Sequence, residues 1–454
     1  MKIKNIKDIA SKLEMLENKY NLFSILILKK IPFWMFIRPT IFEAILSDEG
    51  LSEGVSPNRN IGIKKILLTM YAGISGLFSL IKKNKADYLF FETPRRFEGG
   101  EPYLSPLYEN IDPKKYIRFC YTEKWTYRDD NVVYLNLLKL IGLFVSILLS
   151  PLAIFFLPRK EFSNFKSALK ELLPKNGSQF FYKMKYFECI YWYFIFIFIL
   201  RVSTPKKVFI VSNTFFIPLI AACDKYDIET IEVQHGVISK YAPNYNVSSL
   251  HRRYFFPRKI LLMGDGWKFI NSFLPRGVST KVLGSVFFKN KSVKKNREYV
   301  LFISQKNLRG YFLDFIKNNV NILNNYKIIY KLHPMEFGES DQIISMIPES
   351  ISNNIKFIQD EVEIHTLLDK AIFQSGSYST ALLEGVQLKI PTLLIKTPLY
   401  YHLVFLVDKG VVLYSENSRD FEDFIISFEN SIVNNKSDFF QQIDIGVINE
   451  VVSL

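Results

Sequence analysis

From Lys207 onward the chain alternates short apolar runs with helical stretches, and this alternation constrains its fold more than any other feature. Lys207-Val-Phe-Ile-Val-Ser212, Glu229-Thr-Ile-Glu-Val233, Lys259-Ile-Leu-Leu-Met263 and Lys281-Val-Leu283 read as strands, with a helix over 217–224 that tolerates Pro218 in its first turn. A second series follows, with strands predicted at 299–304, 327–332, 355–358, 371–374, 392–395 and 411–414. Helices are predicted between them at 308–324, 339–347, 361–370 and 378–388. Apolar strands separated by helices bury both faces of a sheet, which implies parallel, doubly wound α/β architecture. Residues 289–298 (KNKSVKKNRE) are basic and lack apolar periodicity, so they read as a linker. The division is therefore 1–288, 299–430 and a tail at 431–454, which suits a chain of 454 residues.

The N-terminal third is less regular. Strands are expected at Asp87–Glu92 and Tyr116–Cys120, and MKIKNIKDIASKLEMLENKY reads as an amphipathic helix, too charged for a signal peptide. Thr93-Pro-Arg-Arg-Phe-Glu-Gly-Gly100 is a loop whose Arg95 and Arg96 are candidates for acceptor or phosphate contact; a solvated loop reads the same way. Two apolar runs, 140–157 (LIGLFVSILLSPLAIFFL) and 189–200 (CIYWYFIFIFIL), carry basic flanks. They fit a hairpin dipping into a bilayer, ordinary buried core, or two spans. The net charge of +14 calls for an anionic partner. Zinc-finger spacing, RNP-like segments and Arg-rich arms are missing from the sequence, so nucleic acid is excluded in favour of a phosphorylated substrate or an anionic lipid surface. Cys120, Cys189 and Cys223 match no metal spacing and read as core residues of a reducing compartment.

Ligands of doubly wound sheets bind beyond the carboxyl ends of the strands, and three clusters fall there. The first is Glu232-Val-Gln-His-Gly236, followed by Ser239, Tyr241, Tyr245 and His251. His235 is placed to act as a base, with Glu232 as a second catalytic candidate; Gln234, Gly236 and Tyr241 are candidates for acceptor contact. The second is Lys331-Leu-His333-Pro334, where His333 would donate to a phosphate or simply cap the next helix. The third, Ser375-Gly376-Ser377-Tyr-Ser379-Thr380, opens a helix and offers hydroxyls and free N–H groups to an anion. Glu384 further along could hold vicinal hydroxyls, and Ser304, Gln305 and Arg309 would border the same crevice.

The segments IEVQHG, KLHP and SGSYSTALLEGVQLKIPTLLI together resemble bacterial capsule and O-antigen glycosyltransferases. Related patterns occur in bacterial sialyltransferases, Kdo transferases and teichoic-acid glycerophosphotransferases. IPFWMFIRPTIFEAIL and FFETPRRFEGGEPYLSP resemble capsule members as well. The resemblance implies a GT-B-like fold, with two Rossmann-type domains facing a central cleft and a membrane-associating insertion in the N-terminal half. It implies that His333, Pro334, Ser377, Ser379 and Thr380 contact the donor nucleotide, commonly a cytidine nucleotide. The expected activity is metal-independent transfer from a CMP- or UDP-sugar to a lipid-linked or growing glycan, with no cofactor, at the cytoplasmic face of the inner membrane. The sialyltransferase acidic-acidic-Gly motif has no counterpart; Gly264-Asp-Gly266 and Glu361-Val-Glu363 are poor substitutes. A CDP-alcohol polyol-phosphate transferase, a non-catalytic polysaccharide assembly protein and a nucleotide-sugar 2-epimerase remain alternatives.

Overall fold

The computed structural model describes residues 4–52, 71, 73–76, 80, 85–92, 101–121, 131–156, 159–173, 179–247, 256–288, 297–359, 362, 364–429 and 438–453. Arg95, Arg96, His251, Glu361, Glu363 and most of the expected linker lie outside these residues.

A helix at Ile6–Tyr20 leads into a two-stranded hairpin, β1 (Leu26–Ile27) and β2 (Ile31–Pro32), and a second helix at Phe33–Asp48. The first sheet then builds from β3 (Tyr88–Phe91), β4 (Tyr116–Cys120), β5 (Val132–Tyr134), β6 (Lys207–Ile210), β7 (Glu229–Val233), β8 (Lys259–Leu262) and β9 (Ser279–Val282). Its order is β5-β4-β3-β6-β7-β8-β9, and every pair is parallel. The second sheet holds β10 (Tyr299–Ile303), β11 (Ile328–Lys331), β12 (Ile355–Ile358), β13 (Ala371–Gly376), β14 (Thr392–Ile395) and β15 (Leu413–Ser415), in the order β12-β11-β10-β13-β14-β15, again all parallel. The chain thus folds into two doubly wound α/β domains of GT-B-like architecture. In each sheet the winding reverses beside the first-formed strand, between β3 and β6 and between β10 and β13, which opens a crevice there.

Strand interiors are mostly apolar, as two-sided burial demands, with buried Arg118, Glu232 and Gln374 among the exceptions. Phe90 stacks on Phe209 at 4.8 Å and Phe91 on Phe119 at 4.6 Å, binding β3 to both neighbours. The single helix expected over 308–324 is interrupted: helices span Arg309–Asn318 and Val320–Leu323. Buried Asn319 between them sends its Nδ2 to Phe315 O at 2.7 Å, competing with the backbone ladder.

The 140–157 run folds as a helix at Asn136–Leu149, a 3₁₀ turn at Ser150–Leu152 carrying Pro151, and a short helix at Ala153–Phe156. Ser146 and Ser150 return their hydroxyls to Gly142 O and Ile147 O, so both are satisfied within the helix. The 189–200 run lies in a helix at Gln179–Ser203. Among the described residues, its Phe181–Ser203 stretch is the one helix long and apolar enough to cross a membrane, and 56% of the apolar window is buried inside the protein. Tyr191 OH donates to Leu138 O and its ring lies against Gly142, which locks the two helices together. All three cysteines are buried and none forms a disulfide.

Residues 438–453 return to the first sheet. Phe439 and Phe440 are buried, Gln441 N donates to Met263 O, and Asp444 N donates to Leu283 O. Asp444 caps a last helix, Ile445–Val452, whose C-terminal carbonyls accept from Lys207 Nζ and Tyr88 OH. Gly264 and Gly284 admit this strap: a Cβ on Gly284 (φ +96°) would lie 2.4 Å from Gln442 O.

Candidate functional site

The loops at the carboxyl ends of β7 and β13 meet. A Cβ on Gly236 would lie 3.9 Å from Thr380 Oγ1, so the two clusters face one another across the domains. Ser239 Oγ and His402 Nδ1 share a buried 2.8 Å hydrogen bond, and the His402 ring stacks on Tyr378 at 4.3 Å. Tyr241 packs edge-on against Tyr401, a further contact between the domains.

On the first-domain side, Gln234 shapes the turn: its Nε2 donates to Gly236 O at 2.9 Å and its Oε1 accepts from Met263 N at 3.0 Å. Gln234 is buried, so it holds Gly236 in place rather than reaching outward. His235 is half-buried and meets Tyr103 edge to face at 6.1 Å. Glu232 is fully buried. Its Oε1 accepts from Tyr245 OH and, at 3.4 Å, from Asn213 N, while Oε2 has no hydrogen-bond partner among the described residues. Burial pushes this carboxyl up to about 8, against the lowering by those two hydrogen bonds. Tyr245 lies ten residues beyond His235, so Glu232 anchors the loop that carries the histidine.

A second anchor comes from the N-terminal helices. Buried Arg38 is paired with buried Glu17, which also accepts from Trp34 Nε1 at 2.7 Å. The same guanidinium donates to Pro243 O in the His235 loop. The lone arginine inside FWMFIRPTIF was the available sequence signal, because a charge in so apolar a run must be paired when buried. At the crevice of the first sheet, Glu92 directly follows β3 and forms a buried 2.6 Å pair with Arg118.

On the second-domain side, His333 caps a 3₁₀ turn at Pro334–Glu336. Its Nδ1 accepts from Met335 N at 3.3 Å, and Glu336 Oε2 returns to His333 N at 3.0 Å. With Nδ1 an acceptor, the ring proton sits on Nε2, which is left as an N–H donor. The helix-capping alternative is therefore realised. Ser379 caps the helix Thr380–Gln387 by accepting from Ala381 N at 3.2 Å. Thr380 follows it and faces Gly236.

Several candidates are consumed in the wall behind this surface. Ser304 shares a hydrogen bond with Tyr330, Gln305 accepts from Tyr378 N, Ser375 donates to Leu393 O, and Ser377 bonds Thr397. Gly376 packs against Leu382 and Ile303 O. Glu384 Oε2 lies 3.0 Å from His365 Nε2, both side chains mostly buried. Gln374, which sequence reading passed over, ties β13 to the helix through Leu382 O and to β14 through Thr392. Lys306 and Arg309 at the β10 end are both paired with Glu339, whose carboxyl their hydrogen bonds hold below its ordinary range. Among the described residues, no group of three or more His, Cys, Asp or Glu side chains could hold a metal ion.

No protein-family model and no curated protein matches this chain. Among solved structures, it is similar to the UDP-GlcNAc 2-epimerase of Methanocaldococcus jannaschii in complex with UDP-GlcNAc and UDP, with 14% identity, 80% of this chain and 98% of that one covered, and a TM-score of 0.44. It is also similar to the glycotransferase of kitacinnamycin (9% identity, 77% and 91% covered, TM-score 0.44). A third likeness is to Anabaena HepE in complex with UDP and glucose (10% identity, 81% and 98% covered, TM-score 0.40).

Proposed function

We propose that the protein is a glycosyltransferase that moves a sugar from a cytidine or uridine nucleotide to a lipid-linked or growing glycan during synthesis of a bacterial capsule or O-antigen. The observation that carries this reading is the apposition of Gly236, beside His235, to the Ser379–Thr380 helix start, with strand-end loops of two doubly wound domains meeting at one point.

The donor's phosphate would sit at the start of Thr380–Gln387, beside the Thr380 hydroxyl and the positive end of the helix, with His333 Nε2–H as a further donor. The acceptor hydroxyl attacks the anomeric carbon from the first-domain side. A new C–O bond forms as the bond to the leaving phosphate breaks, and the hydroxyl proton passes to His235. Developing charge on the phosphate is met by preset donors, which is where most of the rate enhancement would originate. Glu232 is sealed from solvent, so its part is to hold Tyr245 and the loop, not to take the proton.

Melting curves with CMP, CDP, UDP and GDP test the donor site, because a ligand that binds only the folded chain raises its melting point. The reading expects a cytidine or uridine nucleotide to shift the transition and to label residues near Thr380 when photoactivated. A chain whose melting responds to none of them overturns it.

A further inference from the structure

We infer that the outer face of the paired helices Asn136–Leu149 and Gln179–Ser203, continued by Ala153–Phe156, rests on an anionic lipid bilayer. Ten of the twenty-four exposed large apolar side chains among the described residues fall between 141 and 198. They include Phe144 at 69% exposure, Leu148 at 79% and Phe155 at 79%. Ile141, Phe144 and Leu148 recur at i, i+3 and i+7, one stripe of a helix; Phe194 and Phe198 form a second. The opposite faces of the same helices are core, since Gly142, Ser146, Trp192 and Phe196 are buried. A soluble surface rarely carries a continuous apolar area of this kind without a partner.

Charge decides which partner. Residues 131–206 hold ten Lys and Arg against three Glu, a net +7, half of the chain's +14. Each stripe runs into a cation: Lys139 is exposed one turn before Leu143, and Arg201 one turn after Phe198. A second copy docked through this face would bring two such positive segments together, which Coulomb repulsion opposes. An anionic leaflet is attracted by the same charges and accepts the aromatic side chains at its interface. Spanning is disfavoured, because more than half of the apolar window of the longer helix is already buried in protein and Pro151 breaks the shorter segment. The protein therefore lies on the membrane, consistent with work at the cytoplasmic face on a lipid-linked acceptor. This extends the acceptor part of the proposed function, but nothing in it depends on the donor.

Flotation with phosphatidylcholine vesicles, with and without phosphatidylglycerol, tests it without any nucleotide or sugar. The full chain is expected to float with the anionic vesicles, less with neutral ones, and less again at high salt. The double variant Leu148→Gln/Phe155→Gln alters two exposed side chains and should keep its melting transition while its vesicle affinity falls at least about tenfold. Failure to float with anionic vesicles overturns the inference. So does flotation that the variant leaves unchanged, and so does a concentration-dependent dimer that the same variant dissolves. A chain that floats as expected but binds no nucleotide refutes the donor reading alone.

Discussion

Ser239 and His402 lie in segments that follow strands of different sheets, 163 residues apart, and share a 2.8 Å hydrogen bond shielded from solvent. The bond ties the loop that carries His235 to the segment after β14, so the relative position of the two domains is fixed within a few residues of the proposed chemistry. Burial holds the His402 ring down to about 3, far below its ordinary 6.5.

Between about pH 6.5 and 3 the unfolded chain therefore binds a proton at residue 402 that the folded chain does not. Stability contributed here is complete above 6.5 and is lost on acidification through that window, by up to about 1.4 kcal/mol per pH unit. Glu232 acts in the opposite sense. With its carboxyl raised to about 8 from 4.5, the folded state keeps a proton that the unfolded state releases, and stability falls as pH rises from 4.5 to 8. Above 6.5 only this second effect operates. Urea midpoints are expected to fall between pH 6.5 and 8, and Glu232→Gln, which can still accept from Tyr245, should flatten that fall. A wild-type midpoint constant across this range would contradict the assignment.

His235→Ala should lower turnover by roughly 10²–10⁴-fold, the usual contribution of a general base, with nucleotide affinity unchanged. Glu232→Gln should retain turnover within a few fold, because its carboxyl anchors Tyr245 from behind the surface. The reverse pattern, with Glu232→Gln inactive and His235→Ala active, both folded, would move the base to Glu232.

His333 has two duties that substitution can separate. His333→Ala removes both the cap and the outward Nε2–H; it should cost about 1 kcal/mol of stability and about 1.5–3 kcal/mol of nucleotide binding. His333→Asn keeps an acceptor for Met335 N and shortens the reach of the donor. It should restore the melting point but not the affinity, as read by calorimetric titration. Full recovery of affinity in the Asn variant would reduce His333 to a cap.

Gly284→Ala should destabilise the protein by at least about 2 kcal/mol, since it adds a Cβ at φ +96° and drives it into Gln442 O. Deletion of residues 438–454 should expose the face that buries Phe439, Phe440 and Ile448, lowering the melting point of the first domain. Unchanged melting of either variant would mean that the strap does not stay docked in solution.

Much of the scaffold was legible before any coordinates. Apolar runs such as KVFIV, YVLFI and TLLI announce two-sided burial, because a strand covered on both faces tolerates few polar side chains, and the helices between them dictate parallel pairing. Strand-end positions could be counted off from there, so His235, Gly236, Ser379 and Thr380 were selected correctly as neighbours of strand termini. Sequence reading could not separate Ser379, which caps a half-buried helix start, from Ser375 and Ser377, which are spent on Leu393 O and Thr397 inside the wall. All three share one residue type and one short segment, and only the pleat and the next strand decide which way each hydroxyl turns.

What the sequence by itself determined was local and periodic: strand against helix, parallel winding, the His and Ser/Thr residues at strand ends, and the apolar runs between basic flanks. Tertiary structure alone decided what those residues touch. The Arg38–Glu17 pair reaching Pro243, the Glu232–Tyr245 anchor, the Ser239–His402 bond and the return of residues 438–453 to the first sheet all join segments distant in the chain. Such contacts leave no periodicity behind. They arise because a buried polar group must find a partner wherever packing brings one, and that partner is set by three-dimensional proximity, not by spacing along the chain.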